Sequence, residues 1–177
     1  VSIPEREVRV VVVFHDRGRM MRPLAEAVGR GARRINGARV DVRTIDETGP
    51  EVLAGADAIV LGSPNWNGPT GEFKRWLDGT GDFWEENPLA GKVGAAFTSA
   101  WSRNAGVEFT LWSLLHFLLA HGVIIVGLPW TDRLRLSGSY YGAAACGEVT
   151  PDDLAQAEAL GERVAAVARA LKLGREA

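Results

Sequence analysis

An α/β fold, a parallel sheet covered by helices on both faces, is the class this sequence predicts. Strand-like and helix-like patterns alternate from one end of the 177 residues to the other, the order that right-handed βαβ crossovers generate. The strand-like segments are nearly continuous apolar runs, as strands buried on both faces must be, rather than the alternation of a half-wet sheet. The length suits one domain, 1–177, and 46% hydrophobic with 24% charged residues argues against disorder.

The elements follow in order. Val8 to Phe14 is a β-branched run, apolar beyond Arg9, and reads as the first strand. Leu24, Ala27, Val28, Gly31 and Ile35 recur at helical spacing until Asn36-Gly37 stops the helix. Arg39 to Ile45 alternates apolar with polar, which predicts a second strand nearer an edge. Ala56 to Leu61 is the third strand, expected to break at Gly62-Ser63-Pro64, and a helix with Phe73, Trp76 and Leu77 on one face follows. Lys92 to Phe97 is the fourth strand, Val107 to His121 a strongly apolar helix, and Val123 to Leu128 the fifth strand, ended by Pro129. Trp130 to Thr150 reads as an irregular connection. Thr150-Pro151-Asp152-Asp153 opens the last helix, with Thr150 as N-cap and Pro151 at the first helical position.

Charge and motifs exclude several functions. A net charge of −2 with interspersed signs gives no basic stripe for nucleic acid or an anionic membrane. No CxxC, HExxH, GxSxG or Walker sequence occurs, so metal hydrolysis, phosphoryl transfer and serine-triad chemistry lack support, and no metal site is expected. The one cysteine, Cys146, rules out an internal disulfide and fits a reducing cytoplasm. Glu5 and Glu7 interrupt the apolar start in a way no signal peptide would, and no run reaches the length of a membrane span.

In an open parallel sheet the ligand lies beyond the carboxyl ends of the strands, where the strand order reverses. Three loops end there: Phe14 to Met21, Gly62 to Gly71 and Thr98 to Gly106. The two later loops combine small residues, which let backbone amides approach a ligand, with Trp66 and Trp101, whose flat faces suit a planar ring.

Longer motifs sharpen this expectation. They are Gly62-Ser63-Pro64, Glu72 to Asp78 (EFKRWLD), Gly79 to Trp84 (GTGDFW), Phe97-Thr98-Ser99, Ala120 to Pro129 (AHGVIIVGLP) and Tyr141-Gly142-Ala143. In this order, from about Val8 to about Leu171, the chain resembles the WrbA-like NAD(P)H:quinone oxidoreductases of the flavodoxin-like fold. The resemblance implies a doubly wound five-stranded sheet of order 2-1-3-4-5 and FMN in the three loops, with NAD(P)H as electron donor and a quinone or similar planar acceptor. It further implies that Arg17, Gly18, Arg19, Met20 and Met21 meet the FMN phosphate, and that Asn65, Trp66, Asn67 and Gly68 flank the isoalloxazine ring. Ser99, Ala100, Trp101, Ser102, Arg103, Asn104 and Gly106 would wrap its pyrimidine edge. His121 matches the active-site histidine, Trp84 the aromatic that covers the substrate, and neighbouring subunits would complete each site in a homodimer or homotetramer. The surplus of apolar and aromatic residues in Phe109 to Leu119 independently predicts an oligomeric interface.

The first loop departs from the family pattern. Where relatives read Ser-x-Thr-Gly-Asn-Thr, this chain reads Asp16-Arg17-Gly18-Arg19-Met20-Met21, without a hydroxyl and with Pro23 in the first helical turn. Two readings stay open. In one, FMN binds through backbone amides assisted by Arg17, Arg19 or Arg22. In the other, the flavin is lost, and the pocket binds a planar molecule or converts it by cyclase-, dehydratase- or isomerase-type acid–base chemistry, with Asp16 as the base.

Overall fold

A computed structural model describes residues 7–175; Glu5 lies outside the described residues. The elements run β1 (Val8–Phe14), α1 (Met21–Arg33), β2 (Ala38–Thr44), a 3₁₀ turn (Pro50–Leu53), β3 (Ala58–Pro64), α2 (Gly71–Asp78) and α3 (Phe83–Glu86). They continue with β4 (Val93–Ala100), α4 (Val107–Ala120), β5 (Ile124–Ile125), a second 3₁₀ turn (Asp132–Arg135), β6 (Ala143–Cys146) and α5 (Pro151–Gly174).

All strand pairings are parallel, in the order β2-β1-β3-β4-β5, the doubly wound order expected. The apolar run of β1 is explained by burial on two faces. Val10, Val12 and Phe14 join the core under α1 and α5, while Val11 and Val13 join the core under α2 and α4. β2 alternates half-buried with exposed positions, as its edge place requires. At α5 the expected cap is present: Thr150 Oγ1 accepts from Asp153 N–H and the Asp153 carboxylate accepts from Thr150 N–H at 2.7 Å.

Two expectations are corrected. Gly62-Ser63-Pro64 does not break β3 but continues it, opposite Phe97, Thr98 and Ser99 of a longer β4. β1 pairs with β3 only as far as Gly62, so Pro64 stands where a missing N–H forfeits no ladder bond. The fifth strand is also split. Ile124 and Ile125 pair with Val93 and Gly94, Val126 N–H still reaches Gly94 O at 2.8 Å, and then the chain turns away, with Leu128 N–H donating to Tyr140 O. β6, inside the segment expected to be irregular, takes the vacated edge and pairs with Phe97 to Ala100. The sheet therefore has six strands in five positions. Among the described residues no helix is long and apolar enough to cross a membrane.

Candidate functional site

Because β1, β3 and β4 are parallel neighbours, the loops that follow them open side by side at one edge of the sheet. They enclose a cavity of about 600 Å³. Arg17, Gly18, Arg19 and Met20 line it from the first loop, Pro64, Asn65 and Trp66 from the second, and Ser99, Ala100 and Trp101 from the third. Trp66 and Trp101 are 60% and 85% exposed, large apolar surfaces left open to a ligand rather than packed in a core. A fourth wall, Gly147, Glu148 and Val149, was missed from the sequence because β6, the strand that delivers it, lay hidden in the irregular connection.

The first loop is built to receive an anion. Gly18 holds a φ of +80°, the left-handed region that a side chain disfavours. α1 starts directly after it with neither a side-chain cap nor an acidic residue in its first turn. Among the described residues the N–H groups of Gly18, Arg19 and Met20 make no backbone hydrogen bond. Orphan amides at the positive end of a 13-residue helix suit a phosphate without any hydroxyl. The residues present therefore fit FMN: a phosphate on the amides and a planar ring between the indoles.

The loop's charges are divided. Arg22 donates to Asp16 Oδ2 from Nε at 2.9 Å and Nη2 at 2.5 Å. That bond and the Asp16 charge raise the Arg22 pKa further. Asp16 does not line the cavity and is held by Arg22, so the acid–base reading has no Asp16 base facing the pocket. Arg17 pairs with Glu72 at 3.0 Å and lies 4.8 Å above the Trp66 ring, so it forms part of the wall. Arg19 lines the cavity and has no ion pair among the described residues.

Other expected contacts fall elsewhere. Met21 is fully buried, where its sulfur accepts from Ser99 Oγ. Asn67 and Gly68 form a positive-φ turn outside the cavity lining. Ser102 and Asn104 sit in an exposed turn, Gly106 caps α4, and Arg103 lines a separate cavity of about 190 Å³ with Cys146 and Asp153. Asn65 contributes as a clasp. Its Nδ2 donates to Ala105 O at 2.6 Å, and its Oδ1 accepts from Thr110 Oγ1 at 2.8 Å and from Gly68 N–H at 3.3 Å. The second loop is so tied to the third and to α4. His15 braces the same region through Nδ1, 2.7 Å from Thr70 Oγ1, the hydroxyl that caps α2.

His121 and Trp84 are not brought to this cavity within one chain. α4 begins beside the third loop and its 14 residues carry the chain about 21 Å toward the opposite edge of the sheet before His121. There His121 and Trp84 line a groove of about 660 Å³ between α2 and α4, which shares no lining residue with the first cavity. The His121 ring stacks on Trp84 at 4.4 Å and meets Phe117 edge-on at 4.7 Å. It is 2% exposed, and neither ring nitrogen has a hydrogen-bond partner among the described residues. Burial pushes its pKa down, so it is a neutral ring rather than the cationic helix cap that its place in sequence permits.

This carries a pH dependence. The folded pKa lies below the unfolded value of ~6.5, so the unfolded chain takes up the proton first. Stability present above that value is lost as the pH falls from it toward the folded pKa. The melting temperature is expected to drop between pH 7.5 and 5.5, and His121→Phe to remove much of that drop. Parallel melting curves with the same pH slope in both proteins would contradict this.

The relatives agree with the geometry. The sequence model of the family described as NADPH-dependent FMN reductase matches residues 24–131. An NAD(P)H dehydrogenase (quinone) of Archaeoglobus fulgidus is 42% identical over 189 aligned positions, covering 92% of this chain and 98% of that protein. One from Paracoccus denitrificans is 35% identical, covering 94% and 97%. Among solved structures, a flavodoxin, WrbA-like protein from Agrobacterium tumefaciens superposes with a TM-score of 0.75 at 30% identity over 93% of this chain and 99% of its own. A flavodoxin from the domain Archaea, at 22% identity and a TM-score of 0.70, shares the fold.

Proposed function

From a chain that belongs to the NADPH-dependent FMN reductase family, with WrbA-like NAD(P)H:quinone oxidoreductases as its relatives, we propose an FMN-dependent enzyme that reduces a quinone by two electrons from NAD(P)H. The observation that carries this reading is the cavity itself, lined at once by two open indoles and by amides and a guanidinium that have no partner among the described residues. When bound, FMN supplies the electron relay between the two substrates; the protein supplies position and electrostatics. The Gly18 to Met20 amides receive the phosphate. Trp66 and Trp101 flank the ring and exclude water from its faces, and Asn65 holds their loops in register.

The second cavity finds its use in an assembly. Trp84, Phe109, Trp112 and Leu119 expose 62%, 79%, 46% and 49% of their surface on and beside α4, more apolar area than a monomer leaves to water. We assign this face to a second copy of the chain. Trp84 would then close the neighbour's flavin site, and the neutral His121 would reach a quinone oxygen there once Trp84 swings off its ring. A lone, half-buried Cys146, its thiol pKa raised by burial, suits the reducing cytoplasm.

The test is NADPH oxidation by FMN-loaded protein with benzoquinone as acceptor. Turnover that needs both FMN and quinone is expected, and Asp16→Asn should retain it within about threefold, because a residue outside the cavity moves no proton. Turnover abolished in Asp16→Asn would show that Asp16 takes part in the reaction despite lying outside the cavity lining. No NADPH oxidation by loaded wild-type protein would end the quinone-reductase reading.

A further inference from the structure

Resting on the reading that the cavity holds FMN, we infer that Arg19 alone among the side chains is the counter-charge for the FMN phosphate, and that this guanidinium lets the chain tell FMN from riboflavin. Three arginines stand in or next to the first loop, but two are spent. Arg22 is held by both Nε and Nη2 on Asp16, outside the cavity lining. Arg17 is held by Glu72 and laid over Trp66, which fixes it as a wall of the ring compartment. Arg19 lines the cavity without an ion pair among the described residues, next to three amides that make no backbone hydrogen bond among them.

Besides Arg17, which Glu72 pairs, the other charge lining this cavity is Glu148, whose carboxylate repels a phosphate placed near it. With Asp16 neutralised by Arg22, Arg19 decides the sign of the field at the phosphate end. A guanidinium binds a phosphate dianion through charge-assisted hydrogen bonds, and a neutral ribityl hydroxyl gains far less from it. Arg19 is exposed, so its contribution must be screened by salt, whereas fixed hydroxyls and amides in a closed loop would be much less affected. The backbone amides supply the salt-tolerant part of this phosphate site and Arg19 the salt-sensitive part.

Fluorescence titration of apoprotein with FMN and with riboflavin, from 20 to 500 mM NaCl, tests this without any turnover. Wild type is expected to prefer FMN, with the preference shrinking as salt rises. Arg19→Ala should weaken FMN about tenfold at low salt, leave riboflavin within about twofold and flatten the salt dependence, and Arg19→Lys should restore part of the preference. Equal losses for both flavins, or an unchanged FMN preference in Arg19→Ala, would overturn the role of Arg19 while leaving FMN binding intact. If neither flavin binds wild-type protein, the cofactor reading itself falls and this inference with it.

Discussion

Asn65→Leu is expected to weaken FMN binding about 30-fold while the melting temperature moves by no more than about 2 °C. The side chain donates to Ala105 O, which ties the Trp66 loop to the Trp101 loop, and accepts from Thr110 Oγ1 of α4 and from Gly68 N–H within its own loop. A hydrogen bond is worth about 1 kcal/mol net. Losing roughly 2 kcal/mol of loop order, restored only when the ligand binds, corresponds to about 30-fold in affinity. Overall stability should hardly change, because Asn65 belongs to neither hydrophobic core. Asn65→Asp keeps both acceptor bonds and loses the donor to Ala105 O, so its affinity should fall between the other two. An Asn65→Leu protein that binds FMN like wild type would show that the loops hold their places without the clasp.

The largest stability effect belongs to the crossing of α1 and α5. A Cβ on Gly161 would stand 1.9 Å from Val28 O, and a Cβ on Gly31 equally close to Glu158 O, so backbone meets backbone with no side chain between. Arg30 of α1 and Arg34, which caps its C-terminus, then reach Glu158 of α5 across the seam. Gly161→Leu must push the helices apart and open the core formed by Leu24, Val28, Leu160 and Val164. The expected cost is about 3 kcal/mol, or a fall of about 10 °C in melting temperature for a chain of this size. Gly71→Ala, at a position with nothing within 4 Å, is the control and should stay within about 0.5 kcal/mol. A Gly161→Leu protein that melts with the control would mean that the crossing is far looser than these distances.

The parallel sheet covered by helices was legible because it follows from hydrophobic periodicity and from βαβ handedness, whereas the strand order 2-1-3-4-5 came only with the family resemblance. β6 was not legible. Ala143 to Cys146 is short, with small residues, and its strand state depends on β4 being longer than its own apolar run. Glu148 went unseen for the same reason. The three arginines look alike in sequence; only the positions of Asp16 and Glu72 separate the two that are paired from the one that is open. His121 and Trp84 stack on each other, but helix length places them far from the cavity that one chain builds.

The central claim is that the cavity between Trp66 and Trp101, with its phosphate end at Gly18 to Met20, holds one FMN per chain. Equilibrium dialysis of purified protein against FMN at low salt, followed by the visible spectrum and a flavin-to-protein ratio, tests it most directly. The expected result is yellow protein at a ratio near one, with flavin fluorescence quenched by the flanking indoles. Protein that remains colourless against excess FMN would contradict the account.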